Sequence, residues 1–323
     1  MRPRHPPARR PCHQHGAALL TAMIIVTLVA TLATAMVWQQ WRAVQVESAE
    51  RARAQSAWIL SGALDFARLI LREDQRSGRP TALTEPWATP LAESRLSTFL
   101  AVDKAQADDG PEAFLSGSIS DAQGRYNLTN LVTPAAGATP ASVSLPELET
   151  LQRLCQLLGV ETGVADRIAT GLLDALAPST GAAPLLPRTV AQLSWLGLDP
   201  ASVQALQPYV VLLPVSTPIN VNTASKEVLA AAIKGMDPAS AERLIQIRQR
   251  TPFKDLPGFT AQVAAFAPLT AKLDVRSSFF EVRGRLRLVD RVLVERSMVQ
   301  RLPNGQINVL QRERIAGLDQ VGG

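Results

Sequence analysis

Gly16–Arg42 reads GAALLTAMIIVTLVATLATAMVWQQWR, and the rest of the chain is placed relative to it. From Ala17 to Val37 there are 21 residues without a charge. At ~1.5 Å per helical residue they span roughly 31 Å, the thickness of one hydrocarbon core. The stretch therefore reads as a membrane helix. Trp38 and Trp41 follow where amphipathic rings favour the membrane–water interface, and Arg42 is the first charge beyond them. Arg2, Arg4, Arg9 and Arg10 precede the apolar run, which holds that end in the cytoplasm and sends everything after Arg42 across the membrane.

The helical pattern continues past the membrane. No proline interrupts the chain between Cys12 and Arg79. Trp58, Leu60, Leu64, Phe66, Leu69, Ile70 and Leu71 supply apolar positions, while Glu47, Glu50, Arg51, Arg53, Asp65, Arg68, Arg72 and Glu73 supply the wet side. Gly62 is the one internal weak point, and Ser77-Gly78-Arg79-Pro80 gives the stop. The expectation is a single helix of roughly 60 residues from Ala17 to about Ser77.

Composition narrows the functional classes. The 323 residues carry 33 basic and 28 acidic side chains, but removing Met1–Gly16 takes away four of the basic ones and none of the acidic, so the balance falls from +5 to +1. The basic excess concerns targeting rather than a polyanionic partner. All three histidines and Cys12 also lie in that leader, so a chain beginning at Ala17 has no histidine and a single cysteine, Cys155. An intramolecular disulfide, a Ser-His-Asp or Cys-His arrangement and a His/Cys zinc site are then all excluded. Cys155, in LQRLCQLLG, reads as a small residue on a buried helix face.

Beyond Pro80 the pattern is mixed. A helical piece is expected around Leu91–Val102, then two short strands within Phe114–Leu131 around a turn at Asp121-Ala122-Gln123-Gly124. Asp121, Asn127 and Asn130 read as turn-forming residues. Thr133–Ser144, TPAAGATPASVS, reads as a linker. Short amphipathic helices broken by Gly and Pro follow, and Asp166, Asp174 and Asp199 are too scattered for a calcium loop of EF-hand type. In FFEVRGRLRLVDRVLVERSMVQR, from Phe279, Val282, Leu286, Leu288, Val292 and Val294 alternate with Arg283, Arg285, Arg287, Asp290 and Glu295, as in two antiparallel strands with one wet face. Pro303-Asn304-Gly305 turns the chain into a last strand, INVLQRERI, and the tail after Gly317 reads as disordered.

The most specific stretch is PINVNTASKEVLAAAIKGMDPASAERLIQIRQR, from Pro218. Thr223 or Ser225 can cap a first helix with Glu227 returning the bond, and a second helix from Ala239 to Arg250 turns Leu244 and Ile247 inward. The pattern resembles helix-hairpin-helix DNA-binding modules, so a membrane-anchored DNA-binding protein is the alternative reading. Such a hairpin brings bare backbone N–H groups to a phosphate through a Gly-apolar-Gly turn. Here the turn is Gly235-Met236-Asp237-Pro238, in which Asp237 repels a phosphate and Pro238 lacks a donor. Lys234, Arg243, Arg248 and Arg250 read as a solvated basic face, and no nucleic acid is expected as a partner.

Two further features carry a family resemblance. Gly16 closes the basic leader just before the apolar run, which resembles the processing site of type IV prepilins; a cleavable secretory signal has a shorter apolar core than this one. Thr21, fifth from Ala17, stands where most pilins and pseudopilins have a membrane-buried glutamate. Together with D-x-x-G-R-Y-N-L-T-N-L from Asp121, PINVNTASKEVL and FFEVRGRLRL, in this order, the chain resembles the K family of type II secretion minor pseudopilins from Gly16 to Ile315.

The resemblance implies an α+β fold: a pilin-like long N-terminal helix packed on a small antiparallel sheet, with a large inserted all-helical domain of helix-hairpin-helix or SAM-like type. It divides the chain into a leader (1–16), the long helix (17–79, with 17–37 transmembrane), a first pseudopilin part (80–132), the insert (133–275) and a C-terminal sheet and tail (276–323). It implies cleavage by prepilin peptidase after Gly16, methylation at Ala17, and an inner-membrane protein with a periplasmic C-terminal domain. The implied partners are the I and J minor pseudopilins, other pseudopilins and the inner-membrane secretion assembly. The implied role is a tip subunit that starts the pseudopilus and limits its length, without catalysis or a required cofactor. Family members hold calcium in the insert. The corresponding stretch, ALAPSTGAAPLLP, has no acid between Asp174 and Asp199, so no ligand residues are assigned.

Overall fold

The computed structural model describes residues 15–96, 113–137, 139–176, 183–266, 271–288 and 291–315. Two compact units divide the chain, Met1–Trp58 and Ile59–Gly323. Helix α1 (His15–Arg76) runs 62 residues without a break, as the proline-free pattern predicts. Its termination is as expected: Gly78 takes a positive φ of 69° just after the last turn.

In the second unit, five strands form one antiparallel sheet: β1 (Leu91–Arg95), β2 (Ala113–Asp121), β9 (Phe279–Leu288), β10 (Arg291–Arg301) and β11 (Ile307–Ile315), in the spatial order β1-β2-β9-β10-β11. One face packs on the last turns of α1. Leu64, Ala67 and Leu71 form a core there with Trp87, Phe280, Val282, Val299 and Ile307, and Trp87 meets the Phe280 ring edge-on at 5.3 Å. Gly284 leaves room for the helix: a Cβ there would lie 3.2 Å from a Leu60 methyl. The alternation read in β9 is present, with Val282, Leu286 and Leu288 buried while Arg283 is exposed. The arginines of the other face are engaged: Arg287 pairs with Glu93 at 2.7 Å and lies 4.0 Å over the Phe114 ring.

Two local expectations are corrected. Leu91–Arg95, read as the start of a helix, is the edge strand β1, because β2 offers it a ladder from Leu91↔Gly117 to Arg95↔Phe114. The residues that follow it, 97–102, lie outside the described residues. Phe114–Leu131 holds the two strands expected around the turn at Ala122–Gly124. The chain does not fold back on β2 after it. It becomes β3 (Tyr126–Asn127), which pairs in parallel with β6 (Val210–Val211). The stretch read as a linker is a small hairpin, β4 (Val132–Thr133) against β5 (Ser142–Val143).

Between β2 and β9, which are neighbours in the sheet, lies a helical body. It holds α2 (Leu145–Leu157), α3 (Gly163–Leu176), a 3-10 turn at Val190–Leu196, α4 (Pro200–Leu206), α5 (Lys226–Ala232), α6 (Pro238–Arg250) and α7 (Leu256–Gln262). A parallel pair, β7 (Ile219–Asn220) with β8 (Leu273–Asp274), closes it. Its core extends from Tyr126 to Val275 and includes Leu151, Leu154, Ile168, Leu229 and Phe259. Cys155 is fully buried in that core, and burial pushes its thiol up to about 11. The tail after Gly317 lies outside the described residues.

Candidate functional site

The first part of the site is the surface of α1. Leu19, Leu20, Ile24, Ile25, Leu28 and Leu32 are all more than half exposed, as suits side chains that face lipid or other helices. The helix is long and apolar enough to cross a membrane. Its threonines are satisfied internally: Thr21 Oγ1 donates to Ala18 O at 3.0 Å, and Thr27, Thr31 and Thr34 donate back in the same way. Just past the apolar run the Arg42 guanidinium lies 4.1 Å from the Trp38 ring centroid. Gly16 and Ala17 stand in the first turn of α1, and residues before 15 lie outside the described residues.

The second part is the root of the helical body, and here the N-x-N-T block does unexpected work. Asp121, at the end of β2, is buried and accepts from Asn220 Nδ2 (2.8 Å), Thr223 Oγ1 (2.6 Å), Ser277 Oγ (2.6 Å) and the Gln123 amide (2.8 Å). Burial raises its carboxyl above the ordinary value, and these four donors oppose the rise. Asn220 also donates to Thr81 O at 3.0 Å. Arg301 of β10 then joins Thr81 Oγ1 (2.9 Å), Ser277 O (2.7 Å) and, in a buried ion pair, Asp74 of α1 (2.8 Å). One polar chain thus connects α1, the sheet and the insert. Neither Arg301 nor Asp74 stands in a recognisable motif, and only their contacts bring them into it.

The other motif residues are clamps as well. Asn127 Nδ2 donates to Val215 O at 2.8 Å and its Oδ1 accepts from the Leu213 amide at 3.1 Å. Asn130 Nδ2 donates to Thr217 O at 2.9 Å and its Oδ1 accepts from the Thr217 amide at 3.0 Å. Asn222 exchanges two 2.9 Å bonds with the backbone of Phe253. Of the two cap candidates, Ser225 caps α5 through the Val228 amide, leaving Thr223 to Asp121.

The hairpin geometry opposes a phosphate. Gly235 takes φ 83°, but Asp237 caps α6 through the Ser240 amide at 2.8 Å, which holds its carboxyl below the ordinary range and so ionised. Ile247, expected inward, is 40% exposed. The residue turned inward is Arg248, whose Nη1 donates to Val221 O at 2.6 Å and whose guanidinium burial draws down to about 10. A member of the supposed basic face is therefore a core bond to the N-x-N-T strand. Among the described residues no three of His, Cys, Asp and Glu gather to hold a metal, and residues 177–182, within ALAPSTGAAPLLP, lie outside the described residues.

One chain of the solved GspK-GspI-GspJ complex of the type 2 secretion system from enterotoxigenic Escherichia coli matches this fold with a TM-score of 0.64 at 21% identity, over 83% of this chain and 99% of that one. Helix, sheet and inserted body together make a pilin-like fold whose N-terminal helix is long and apolar enough to cross a membrane. Family models of protein K of the type II secretion system match residues 124–215 and 219–276. Type II secretion system protein K of Pseudomonas aeruginosa is 29% identical over 93% of this chain and 92% of its own. That of Klebsiella pneumoniae is 29% identical over 88% and 93%, and that of Pectobacterium carotovorum 27% over 93% and 96%. Over nine-tenths of its length the chain is thus similar to protein K of the type II secretion system, and the two family models fall on its inserted helical body.

Proposed function

We propose that this chain is a minor pseudopilin that caps the tip of the pseudopilus together with the I and J minor pseudopilins, starts its assembly and limits its length. The observation that carries the reading is the helical body of residues 122–278, set between neighbouring strands β2 and β9 and bound to the C-terminal turns of α1 through Asp121, Arg301 and Asp74. A large body inserted between neighbouring strands suits a subunit that ends a filament rather than one that continues it. Thr21 agrees with this position, because its hydroxyl is satisfied within its own helix and brings no buried charge that requires a neighbour.

The role is templating by packing rather than chemistry. A chain beginning at Ala17 has no histidine, and its one thiol, Cys155, is buried. Prepilin peptidase would cut after Gly16 and Ala17 would be methylated, leaving a single-pass inner-membrane protein whose second unit is periplasmic. Calcium in the insert is a further property the family resemblance proposes. The solved complex with I and J supports the choice of partners. The test is to coexpress the full chain with the matching I and J subunits, extract the membranes in mild detergent and weigh the product by light scattering. A 1:1:1 complex is expected; a chain that elutes alone while I and J associate with each other would overturn the assignment.

A further inference from the structure

A cleft of about 1160 Å³ opens beside the last turns of α1, walled on its other side by the β10–β11 turn. Arg68, Arg72 and Arg76 stand in it at intervals of four residues on one side of α1, and Arg276 faces it from the segment after β8. Each is held differently. Arg68 is oriented by Ile307 O, which accepts from Nε at 3.0 Å and Nη2 at 2.8 Å, and by Asp65 at 2.7 Å. Arg276 donates to Gly78 O at 2.9 Å. Arg76 makes an exposed pair with Glu73 at 3.1 Å. Arg72 is exposed and bonds to no described residue. Among the described residues Asp65 is the one acid lining the cleft, against four arginines.

Arg68 and Arg76 already have carboxylates in Asp65 and Glu73, whereas Arg72 and Arg276 face the opening with no carboxylate among the described residues, so the surplus positive charge favours a further anion there. Guanidinium is also the group best matched to carboxylate, which it can bind through two parallel N–H donors. The row from Arg68 to Arg76 rises about 12 Å along the helix. In an extended peptide, side chains two residues apart project to the same side at about 6.6 Å, so three alternate acidic residues cover that row. A lone inorganic anion meets only one or two of the arginines. Leu69, about half exposed in the cleft wall, adds an apolar surface for the methylenes of such a segment.

We propose that this cleft binds an acidic segment of a partner polypeptide, its carboxylates seated along Arg68, Arg72 and Arg76 with Arg276 closing the far side. None of the tip contacts proposed above is needed for this inference, which concerns the chain as a binder of carboxylates. The test uses the full chain in zwitterionic detergent and a fluorescent hexaglutamate peptide, followed by anisotropy at low salt. Saturable binding that weakens with salt is expected. Arg72→Gln should weaken it about five- to tenfold and Arg72→Lys less, with the melting temperature unchanged, because Arg72 supports no described contact. The double variant Arg72→Gln with Arg276→Gln should abolish it. Equal affinity of wild type and Arg72→Gln would overturn the proposal, as would equal binding of hexalysine. Displacement by inorganic phosphate at the same concentration as the peptide would assign the cleft to small anions and overturn it too.

Discussion

Asn220 Nδ2 donates to Asp121 Oδ2 at 2.8 Å across 99 residues of sequence. The bond joins the last residue of β2 to β7, and so sets where the helical body stands on the sheet. Asp121 Oδ2 also takes the hydroxyls of Thr223 and Ser277, so one carboxylate oxygen gathers three segments.

Replacing that oxygen by an amide puts an N–H₂ group where donors converge. Asp121→Asn should cost about 1–3 kcal/mol, since Asn220 cannot reverse its donor while it still serves Thr81 O. Urea unfolding of the full chain in mild detergent, followed by tryptophan fluorescence, measures it. A loss of under half of that range would mean the hydroxyls alone sustain the junction.

The same carboxyl gives a pH signature. Its native pKa is raised by burial, so between the ordinary carboxylate value and the raised one the native state binds more protons than the unfolded state. Stability from this group is therefore fully present below the ordinary value and is lost as pH rises through the raised one. Urea midpoints of wild type should fall across that window more steeply than those of Asp121→Asn, and parallel curves would contradict the account.

Gly124 meets the same region from the backbone. A Cβ there would lie 3.0 Å from Thr223 Oγ1 and 3.1 Å from Thr223 O. Gly124→Ala must push the turn away from the N-x-N-T block and should destabilise by about 1–3 kcal/mol, read as a lowered melting temperature.

Arg301 and Asp74 form a pair with both side chains under 10% exposed, at 8% and 7%. Arg301→Met leaves Asp74 buried without its cation and should cost about 3–5 kcal/mol. Changing both partners, Arg301→Met with Asp74→Leu, should recover much of that loss. No recovery would show that Arg301 acts mainly through Thr81 and Ser277.

At the membrane end, Gly16→Glu should stop cleavage, leaving the leader on the chain by intact-mass spectrometry. Thr21→Glu should still allow association with I and J, because the second unit sets the tip position in this proposal. Loss of the complex from that change alone would refute that account of Thr21.

The features legible in the sequence are those that repeat locally. The proline-free run fixed α1 to within two residues of its start and one of its end, because each helical bond depends on residues four apart. The Val/Leu–Arg alternation gave β9 and β10 for the same reason at period two. Leu91–Arg95 was not legible, since LAESR suits a helix and only β2 makes it a strand. Asn127 and Asn130 read as turn residues because their partners, Leu213 to Thr217, are 86 to 90 residues away. Arg248 read as surface because a charge is seldom buried, and only the Val221 carbonyl explains the exception. The arginine cleft was invisible for a similar reason, as Arg276 joins Arg68, Arg72 and Arg76 only after folding.

The ion pair between Asp74 and Arg301 also has a mechanical meaning. A push along α1 enters β10 at Arg301, passes through Thr81 and Ser277, and reaches the insert at Asp121 and Asn220, each step a hydrogen bond of 3.0 Å or less. Within the second unit the last turn of α1 and the root of the helical body are therefore joined by an unbroken series of polar bonds, so displacing one strains the other.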